Sequence, residues 1–278
     1  KDTCIEAKTL LTFTVTASDP DFDQITLTAG GGPISSVPAP LAVFPPVSGS
    51  SPVSGSFSWQ TDCDHVSKQP YLVSFKAIDD GSPVKLVYFE TVRITVVAPA
   101  PKNLIATPQG TTMKLNWNQS ICNPANNKFI GYKLYRKSGA SGWSPGYCET
   151  GVPGYTGFSL IADLGISNGK IISDTAFDDN NNGAGLIHGL TYCYRVIAYF
   201  IDGAESYASA EICAELKKDV PIITNVDVWS TGTNDTIMVK WTKPIVSPTD
   251  FDTLLHPGPY KFELYRSGGY NLSAPLLV

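Results

Sequence analysis

The segment GYKLYRKSG, residues 131–139, recurs in similar form as YKFELYRSGG, residues 260–269. Each copy follows a segment in which apolar and polar residues alternate up to a tryptophan, MKLNWN at 113–118 and IMVKWT at 237–242. Alternation with a period of two is typical of a β-strand with one buried face. An alternating strand that ends on tryptophan, followed by a tyrosine-rich strand and used twice, predicts two domains built on one plan.

The same alternation predicts which side chains face a core. Trp117 and Trp241 are expected to point inward from their strands. In the tyrosine-rich strand of the first copy, we expect Tyr132 and Leu134 on one face and Tyr135 on the other.

The composition is that of a globular all-β protein. Of the 278 residues 42% are apolar and 16% charged, and the 24 glycines and 21 prolines indicate many turns. Strict alternation recurs in LTFTVTAS at 11–18, QITLTA at 24–29, YLVSFKAI at 71–78 and TVRITVV at 91–97. Strands with one buried and one solvated face are typical of antiparallel sheets. We therefore predict an all-β fold of tandem antiparallel β-sandwiches.

Two proline-containing segments mark domain junctions, because proline cannot continue a strand ladder. They are APAPKN at 98–103 and LKKDVPIITN at 216–225. They predict three domains, at residues 1–98, 99–216 and 217–278. Since the sequence shows no initiator methionine and no signal peptide, we expect a mature or excised piece of a longer protein.

The charge distribution excludes some partners. The net charge is −5, and residues 1–98 carry ten acidic against six basic residues. No basic stripe could follow a phosphate backbone, which argues against nucleic acid as a partner. No window of 18 apolar residues occurs, so we expect no membrane-spanning segment.

The six cysteines predict disulfides and export to an oxidising compartment. Two lie in the first predicted domain, four in the second and none in the third, so each domain can pair its own: Cys4, Cys63, Cys122, Cys148, Cys193 and Cys213. A zinc site is disfavoured, because no CxxC spacing occurs and histidine is scarce. We therefore expect an extracellular or outer-cell-surface location.

Residues 99–216 resemble a fibronectin type III domain. The later part of this region, GLIHGLTYCYRVIAYFIDGAESYAS at 185–209, is similar to that family in its leucine, turn, Thr-x-Tyr and alternating strand. The resemblance implies that Tyr192 is the tyrosine-corner residue, whose hydroxyl bonds to nearby backbone. It also implies one inward face formed by Tyr192, Tyr194, Val196 and Ala198.

This resemblance also leads to two predicted disulfides in the second domain. Cys193 lies on the opposite face of its strand, where Cys213 of the next strand can meet it. We expect Cys122 and Cys148 to clamp an enlarged loop region.

The third domain shows only about half of the family's seven strands, which leaves a core face and an edge open. We expect a natural chain that continues further or a strand-swapped dimer with a second copy.

The second domain carries a long aromatic insertion, WSPGYCETGVPGYTGFSLI at 143–161. Such insertions often bind ligands, and Trp143, Tyr147 and Tyr155 are the candidates. The alternative is an extra hairpin that covers a sheet edge.

The first domain resembles the cadherin-like and immunoglobulin-like repeats of bacterial surface proteins, through EAKTLLTFTVTASDPDFDQITLTA at 6–29 and YLVSFKAIDDGSP at 71–83. In calcium-binding relatives such carboxylates gather at one end of the sandwich, which implies calcium ligands among Glu6, Asp19, Asp21, Asp23 and Asp79. The residues themselves fit an ordinary solvated Asx-Pro turn equally well. A second acidic run at 174–183 lacks the spacing of an EF-hand and is interpreted as a hydrophilic turn.

The order of three segments also carries a resemblance: YCYRVIAYFIDGAESYASAEICAEL at 192–216, DVPIITNV at 219–226 and PGPYKFELYR at 257–266. In this order they resemble the large secreted surface proteins of Bacteroidetes that carry gliding-motility-associated C-terminal domains. The resemblance implies a surface location and tandem architecture. Such bacteria attach O-glycans at Asp-Ser/Thr followed by an apolar residue, a pattern met at Thr175, Thr236 and Thr253.

No catalytic motif is present, and we predict that the chain is not an enzyme. The three histidines, His65, His188 and His256, fall one in each predicted domain in loop-like contexts, as chance surface residues would.

Two functions remain open. One is a structural or adhesive spacer, and the other is a carbohydrate-binding accessory module, with surface proteins or polysaccharide as partners.

Overall fold

The structure is a computed structural model, and nearly all of its secondary structure is β-strand. It describes residues 2–122, 128–167, 170–171, 174–187, 189–216, 221–232, 236–244, 258–268 and 275–278. Within these ranges the helices are one short α-helix, α1 (Gly32–Ser35), and two 3₁₀ turns at Cys63–His65 and Gly154–Thr156. The predicted all-β fold is confirmed.

The N-terminal sandwich contains seven strands in two sheets. They are β1 (Thr3–Glu6), β2 (Leu10–Ala17), β3 (Gln24–Gly31), β4 (Val47–Ser50), β5 (Val53–Gln60), β6 (Tyr71–Asp79) and β7 (Val87–Val97). One sheet has the order β1-β7-β6-β3-β4, and the other pairs β2 with β5. The first strand runs parallel to the last, whereas the other pairs are antiparallel.

The core of this sandwich is aromatic. Phe57 and Trp59 of β5 are fully buried, and Phe75 of β6 closes on Phe57 in an edge-to-face contact with ring centroids 6.0 Å apart. These residues occupy every second strand position, so alternation places them together on the inner faces.

The second sandwich also has two sheets. Its strands are β8 (Ile105–Gln109), β9 (Thr112–Asn116), β10 (Phe129–Ser138), β11 (Ser159–Leu164), β14 (Ala176–Asp179), β15 (Thr191–Phe200) and β16 (Ile212–Glu215), with a small hairpin of β12 (Ile166–Ser167) and β13 (Lys170–Ile171). The sheets have the orders β14-β9-β8 and β11-β10-β15-β16. The second sandwich therefore has a three-stranded and a four-stranded sheet.

The repeated sequence pattern lies at the centre of the second sandwich. Trp117 is only 4% exposed and contacts Tyr132 edge to face, with ring centroids 5.4 Å apart. Tyr132 and Leu134 are fully buried, whereas Tyr135 on the other face is not. The predicted inward positions of Trp117, Tyr132 and Leu134 are confirmed.

The C-terminal residues form two pairs of strands. They are β17 (Ile222–Ser230) with β18 (Thr236–Thr242), and β19 (Tyr265–Arg266) with β20 (Leu276–Leu277). Trp241, which was expected to face a core, is not buried here but 43% exposed. Its ring centroid lies 6.4 Å from that of Phe262, and no further described strand covers the two rings.

The chain divides into two compact units. The first comprises Lys1–Ala106, Lys114–Asp179 and Thr191–Ala214, and the second comprises Thr107–Met113, Asn180–Leu190 and Glu215–Val278. The first unit therefore contains most of both the first and the second predicted domain. None of the helices in the described ranges has the length and apolar character needed to cross a membrane.

Candidate functional site: the disulfide-linked junction and its insertion

Two of the three disulfides join the N-terminal sandwich to the second one. Cys4 pairs with Cys148 at a Cα–Cα distance of 5.7 Å, and Cys63 pairs with Cys122 at 5.2 Å. The expected pairing of Cys122 with Cys148, and that of Cys4 with Cys63 within the first domain, are therefore wrong. Neither prediction took account of the two sandwiches packing together, which brings these cysteines to partners in the other sandwich.

The third disulfide is the predicted one. Cys193 of β15 is joined to Cys213 of the neighbouring β16 at a Cα–Cα distance of 4.0 Å. Cross-strand neighbours are close in any antiparallel pair, so this pairing could be read from the strand pattern.

Tyrosine hydroxyls support the first junction disulfide. The Tyr147 hydroxyl accepts a hydrogen bond from the Cys4 backbone N–H (2.6 Å) and donates to the Cys4 carbonyl (3.2 Å). The Tyr207 hydroxyl accepts from the Cys148 N–H (3.1 Å), and the Tyr207 N–H donates to the carbonyl of Ala98 (3.1 Å). Strand β1 is therefore joined to the insertion by hydrogen bonds between the Cys4 backbone and the Tyr147 hydroxyl, as well as by the disulfide.

A second set of contacts joins the sandwiches near the Cys63–Cys122 disulfide. The Lys128 ammonium donates to the Asp64 carbonyl at 2.8 Å. The Lys68 N–H donates to the Asp202 carboxylate at 2.8 Å. The two sandwiches are thus connected at two separate points.

The insertion lies over the outer face of the second sandwich, around a buried arginine. The Arg195 guanidinium donates to the carbonyl of Ser209 (2.6 Å) and to that of Trp143, and it forms an ion pair with Glu211 (3.3 Å). It also stacks 4.7 Å from the centre of the Trp143 ring. Ser141 donates to Glu211 through its backbone N–H at 2.7 Å. This node holds the start of the insertion on strand β15.

Arg195 and Glu211 stabilise each other's charged forms in this buried node. Burial lowers the pKa of Arg195, and the neighbouring carboxylate of Glu211 opposes that effect. Burial raises the pKa of Glu211, but hydrogen bonds from Ser141 and the charge of Arg195 outweigh it, so the pKa lies below its ordinary value. Sequence reasoning missed this pair, although an arginine inside the otherwise apolar and aromatic run YCYRVIAYF was a signal.

The three predicted ligand-binding aromatics are only partly brought together. The Trp143 indole N–H donates to the Tyr155 hydroxyl at 3.2 Å, and that hydroxyl donates to Glu149. A backbone N–H from Gly146 and the Tyr155 hydroxyl lower the pKa of Glu149. Tyr147 and Tyr155 are each 74% exposed, but the Tyr147 hydroxyl is already bonded to strand β1.

The predicted calcium ligands divide between the two ends of the N-terminal sandwich. Glu6 lies opposite Val97 at the end of β7, whereas Asp79 lies opposite Ile25 at the other end of the sheet. Glu6 is therefore not brought together with the other candidates. Asp79 is buried and accepts hydrogen bonds from the backbone N–H groups of Gly81 (3.2 Å) and Leu86 (2.8 Å).

The remaining aspartates form an acidic turn. Asp19 accepts from the Asp21 N–H at 2.8 Å, which is the geometry of an Asx turn. Partial desolvation and the charges of Asp19, Asp80, Asp79 and Asp21 raise the pKa of Asp23.

Ligand atoms do not converge for a metal at this turn. In the part of the chain that the structure describes, one group of three acidic, histidine or cysteine ligand atoms lies within 4.8 Å of one another, namely Cys193, Glu211 and Cys213. Both cysteines of that group are in a disulfide and supply no thiolate. Calcium at Asp19, Asp21, Asp23 and Asp79 stays a prediction.

The histidines and the predicted O-glycosylation threonines lie in different environments. His65 is fully buried rather than at the surface, with Nδ1 accepting from the Asp62 N–H (2.8 Å) and Nε2 lying 2.7 Å from the Pro38 carbonyl oxygen. Thr175 is half-buried and Thr236 is exposed. The remaining candidates, His188, His256 and Thr253, lie outside the described residues.

We expect Glu211→Gln to destabilise the protein by about 3 kcal/mol at pH 7, because the buried Arg195 charge loses its counter-charge. Glu211 has a lowered pKa, so its contribution is present above pH 4.5 and is lost as the pH falls through the lowered value. The difference in melting temperature from the wild type should therefore shrink as the pH falls below 4.5 through the lowered pKa. The control is Glu215→Gln in β16, an exposed glutamate. A difference that persists unchanged at low pH would contradict the ion-pair assignment.

We expect Asp23→Asn to raise the melting temperature at pH 7. A raised pKa means that ionising Asp23 costs folding stability, and this cost is absent below pH 3.8 and complete above the raised pKa. The gain should vanish on acidification and shrink in high salt, which screens exposed charges. Asp2→Asn serves as the control for removing an exposed charge from the same sandwich. Equal stability of Asp23→Asn and wild type at every pH would show that the repulsion is absent.

No family model and no curated protein sequence matches this chain. Among solved structures it is similar to a crystal structure of titin domains, at 13% identity and a TM-score of 0.31, covering 78% of this chain and 62% of that one. It is also similar to a two-domain fibronectin type III segment of chicken tenascin, at 14% identity and a TM-score of 0.33, covering 75% of this chain and 98% of that one. The chain thus spans less than two thirds of the titin structure.

Proposed function

We propose that this chain is a non-enzymatic structural module of an extracellular or cell-surface protein, in which the first two β-sandwiches act as one rigid spacer. The observation that supports this is the pair of disulfides, Cys4–Cys148 and Cys63–Cys122, that cross from one sandwich to the other.

Rigidity follows from the number of separate attachments. Neighbouring domains joined only by a linker move relative to one another by default. Here the backbone bond of Tyr207 to Ala98 secures the connecting segment, and each disulfide adds a covalent tie. A hinge motion would have to break bonds at two points, so the spacer keeps its length under load.

The disulfides also support an extracellular location. All six cysteines are paired, which is typical of proteins exported to an oxidising compartment. From the module resemblances we propose a place in a bacterial surface protein of the Bacteroidetes gliding-motility type. Other surface proteins or polysaccharide are the partners we propose.

Removing both junction disulfides tests the spacer. We expect the variant with Cys4, Cys148, Cys63 and Cys122 all changed to serine to show a broad distribution of interdomain distances in small-angle X-ray scattering, where the wild type shows a narrow one. Stability should fall by about 2–4 kcal/mol per disulfide.

The matched control changes Cys193 and Cys213 to serine, because this disulfide lies within the second sandwich. It should lose comparable stability while its scattering profile stays that of the wild type. Identical profiles for all three proteins would overturn the proposal that the disulfides hold the orientation.

Carbohydrate binding is a second candidate, supported by the exposed ring of Tyr155 beside a carboxylate. An exposed aromatic face with a neighbouring hydrogen-bond acceptor suits a sugar ring, and Glu149 accepts from Tyr155 at this surface. Because the Tyr155 hydroxyl is bound to Glu149, its ring is held in place.

The test is a screen of oligosaccharides against the wild type, followed by calorimetry on Tyr155→Ala. We expect the alanine variant to bind at least about tenfold more weakly, since the stacking face is lost. Tyr155→Phe should keep most of the affinity, and Phe22→Ala, which removes an exposed ring from the other sandwich, should keep all of it. Failure of the wild type to bind any oligosaccharide would exclude this candidate.

A further inference from the structure

A cation placed between an aromatic ring and a carboxylate occurs twice in the second sandwich. The first case is Arg195, whose guanidinium stacks on the Trp143 ring and forms an ion pair with Glu211. The face of an aromatic ring carries partial negative charge, so the ring and the carboxylate attract the same cation.

The second case lies on strand β10. The Lys133 ammonium is 4.7 Å from the centre of the Tyr199 ring and 3.0 Å from a carboxylate oxygen of Glu205. The Tyr199 hydroxyl donates to the carboxylate of Asp163, which fixes the position of the ring. Here a tyrosine anchored through its hydroxyl offers its ring face to a cation.

The exposed surface of the insertion has the same parts without the cation. The Tyr155 hydroxyl accepts from the Trp143 indole N–H at 3.2 Å and donates to Glu149, so this tyrosine too is anchored through its hydroxyl. Its ring is 74% exposed. Among the residues that the structure describes, no lysine or arginine forms an ion pair with Glu149 or lies over the Tyr155 ring.

Glu149 supplies a fixed negative charge beside this ring. The Gly146 backbone N–H donates to its carboxylate at 2.8 Å. This bond and the bond from Tyr155 lower the pKa of Glu149 below its ordinary value, so the carboxylate is ionised at neutral pH. The ammonium of Lys137 is bonded elsewhere, because it donates to the Thr156 carbonyl at 3.2 Å.

The local backbone favours a saccharide over a peptide as the carrier of the missing cation. Residues 139–158 contain the 3₁₀ turn Gly154–Thr156 and no strand, so they offer no ladder to a peptide main chain. A lysine side chain also has a flexible stem, which loses entropy when it is fixed. An amino sugar carries its charge directly on a rigid ring, and the apolar face of that ring fits an open tyrosine.

We propose that Tyr155 and Glu149 bind a protonated amino sugar, such as a glucosamine unit of a deacetylated polysaccharide. The sugar ring stacks on Tyr155, and its ammonium donates to Glu149. This inference rests on the carbohydrate-binding candidate and names its ligand class. Uronic acids are disfavoured, because their carboxylate would meet the like charge of Glu149.

The probes are the glucosamine hexamer and its N-acetylated form, which has the same length and no charge. At about pH 5.5 a primary amine is protonated, and Glu149 is ionised because its pKa is lowered. We expect the 278-residue chain to bind the glucosamine hexamer about three- to thirtyfold more tightly in calorimetry, the range of one exposed ion pair plus one cation–π contact. The preference should shrink in high salt and disappear near about pH 9, where the amine is neutral.

A change that removes only the charge tests the role of Glu149. Glu149→Gln should lower the preference for the glucosamine hexamer by about two- to fivefold, the contribution of one exposed ion pair. Binding of the N-acetylated hexamer should be unchanged, because the ring face is intact. Glu215→Gln, at the exposed glutamate of β16, is the control and should keep the full preference. Tyr155→Ala should weaken the binding of both hexamers, because the stacking face is lost.

The outcomes separate the ligand class from the carbohydrate-binding candidate. Equal affinity for the two hexamers, with both weakened by Tyr155→Ala, would overturn the amino-sugar assignment and leave carbohydrate binding in place. A preference that survives both Glu149→Gln and Tyr155→Ala would assign the amine to another surface. A lysine hexapeptide that binds as tightly as the glucosamine hexamer would assign the site to a protein partner. Binding of neither hexamer would overturn the inference, and the wider oligosaccharide screen would then decide the candidate itself.

Discussion

The covalent connection between the two sandwiches is the constraint on which the rest of the described unit depends. A disulfide requires Cα atoms within about 7 Å, and Cys4–Cys148 and Cys63–Cys122 meet this requirement across the junction. The first needs β1 paired with β7 and the insertion folded over β15 at the same time. The Cys4–Cys148 disulfide therefore makes three features depend on one another: the orientation of the two sandwiches, the path of the insertion and the position of strand β1.

The insertion gives the second sandwich an additional layer. Strand β15 is buried on both faces, because one face lies on the sandwich core and the other lies beneath the insertion. Arg195 is at the centre of that outer layer. Its guanidinium forms an ion pair with Glu211 and stacks on the ring of Trp143. A buried ion pair adds less net stability than an apolar core of equal volume, but it demands one arrangement of its partners. The contacts of Arg195 thereby give the start of the insertion a defined path over β15.

The chain contains the same strand pattern in a covered and in an open environment. Tyr132 and Phe262 share a position in the repeat, but Tyr132 is fully buried against Trp117, whereas Phe262 is 37% exposed. The alternating pattern shows which face of a strand is apolar. Whether that face is buried depends on the strands packed around it.

Much of the fold was predictable from the sequence, and the candidate site was predictable only in part. Alternation identified the strands, the buried face with Tyr132 and Leu134, and the disulfide of Cys193 with Cys213. These features depend on neighbouring positions of one strand or one strand pair, where backbone geometry alone decides which side chains meet.

The tertiary structure alone decided the partners of Cys4 and Cys63, the separation of Glu6 from the acidic turn, the burial of His65 and the exposure of Trp241. Each depends on how distant segments pack against one another. Such packing arises from the shape and charge of whole surfaces, which no pattern in a short stretch of sequence records.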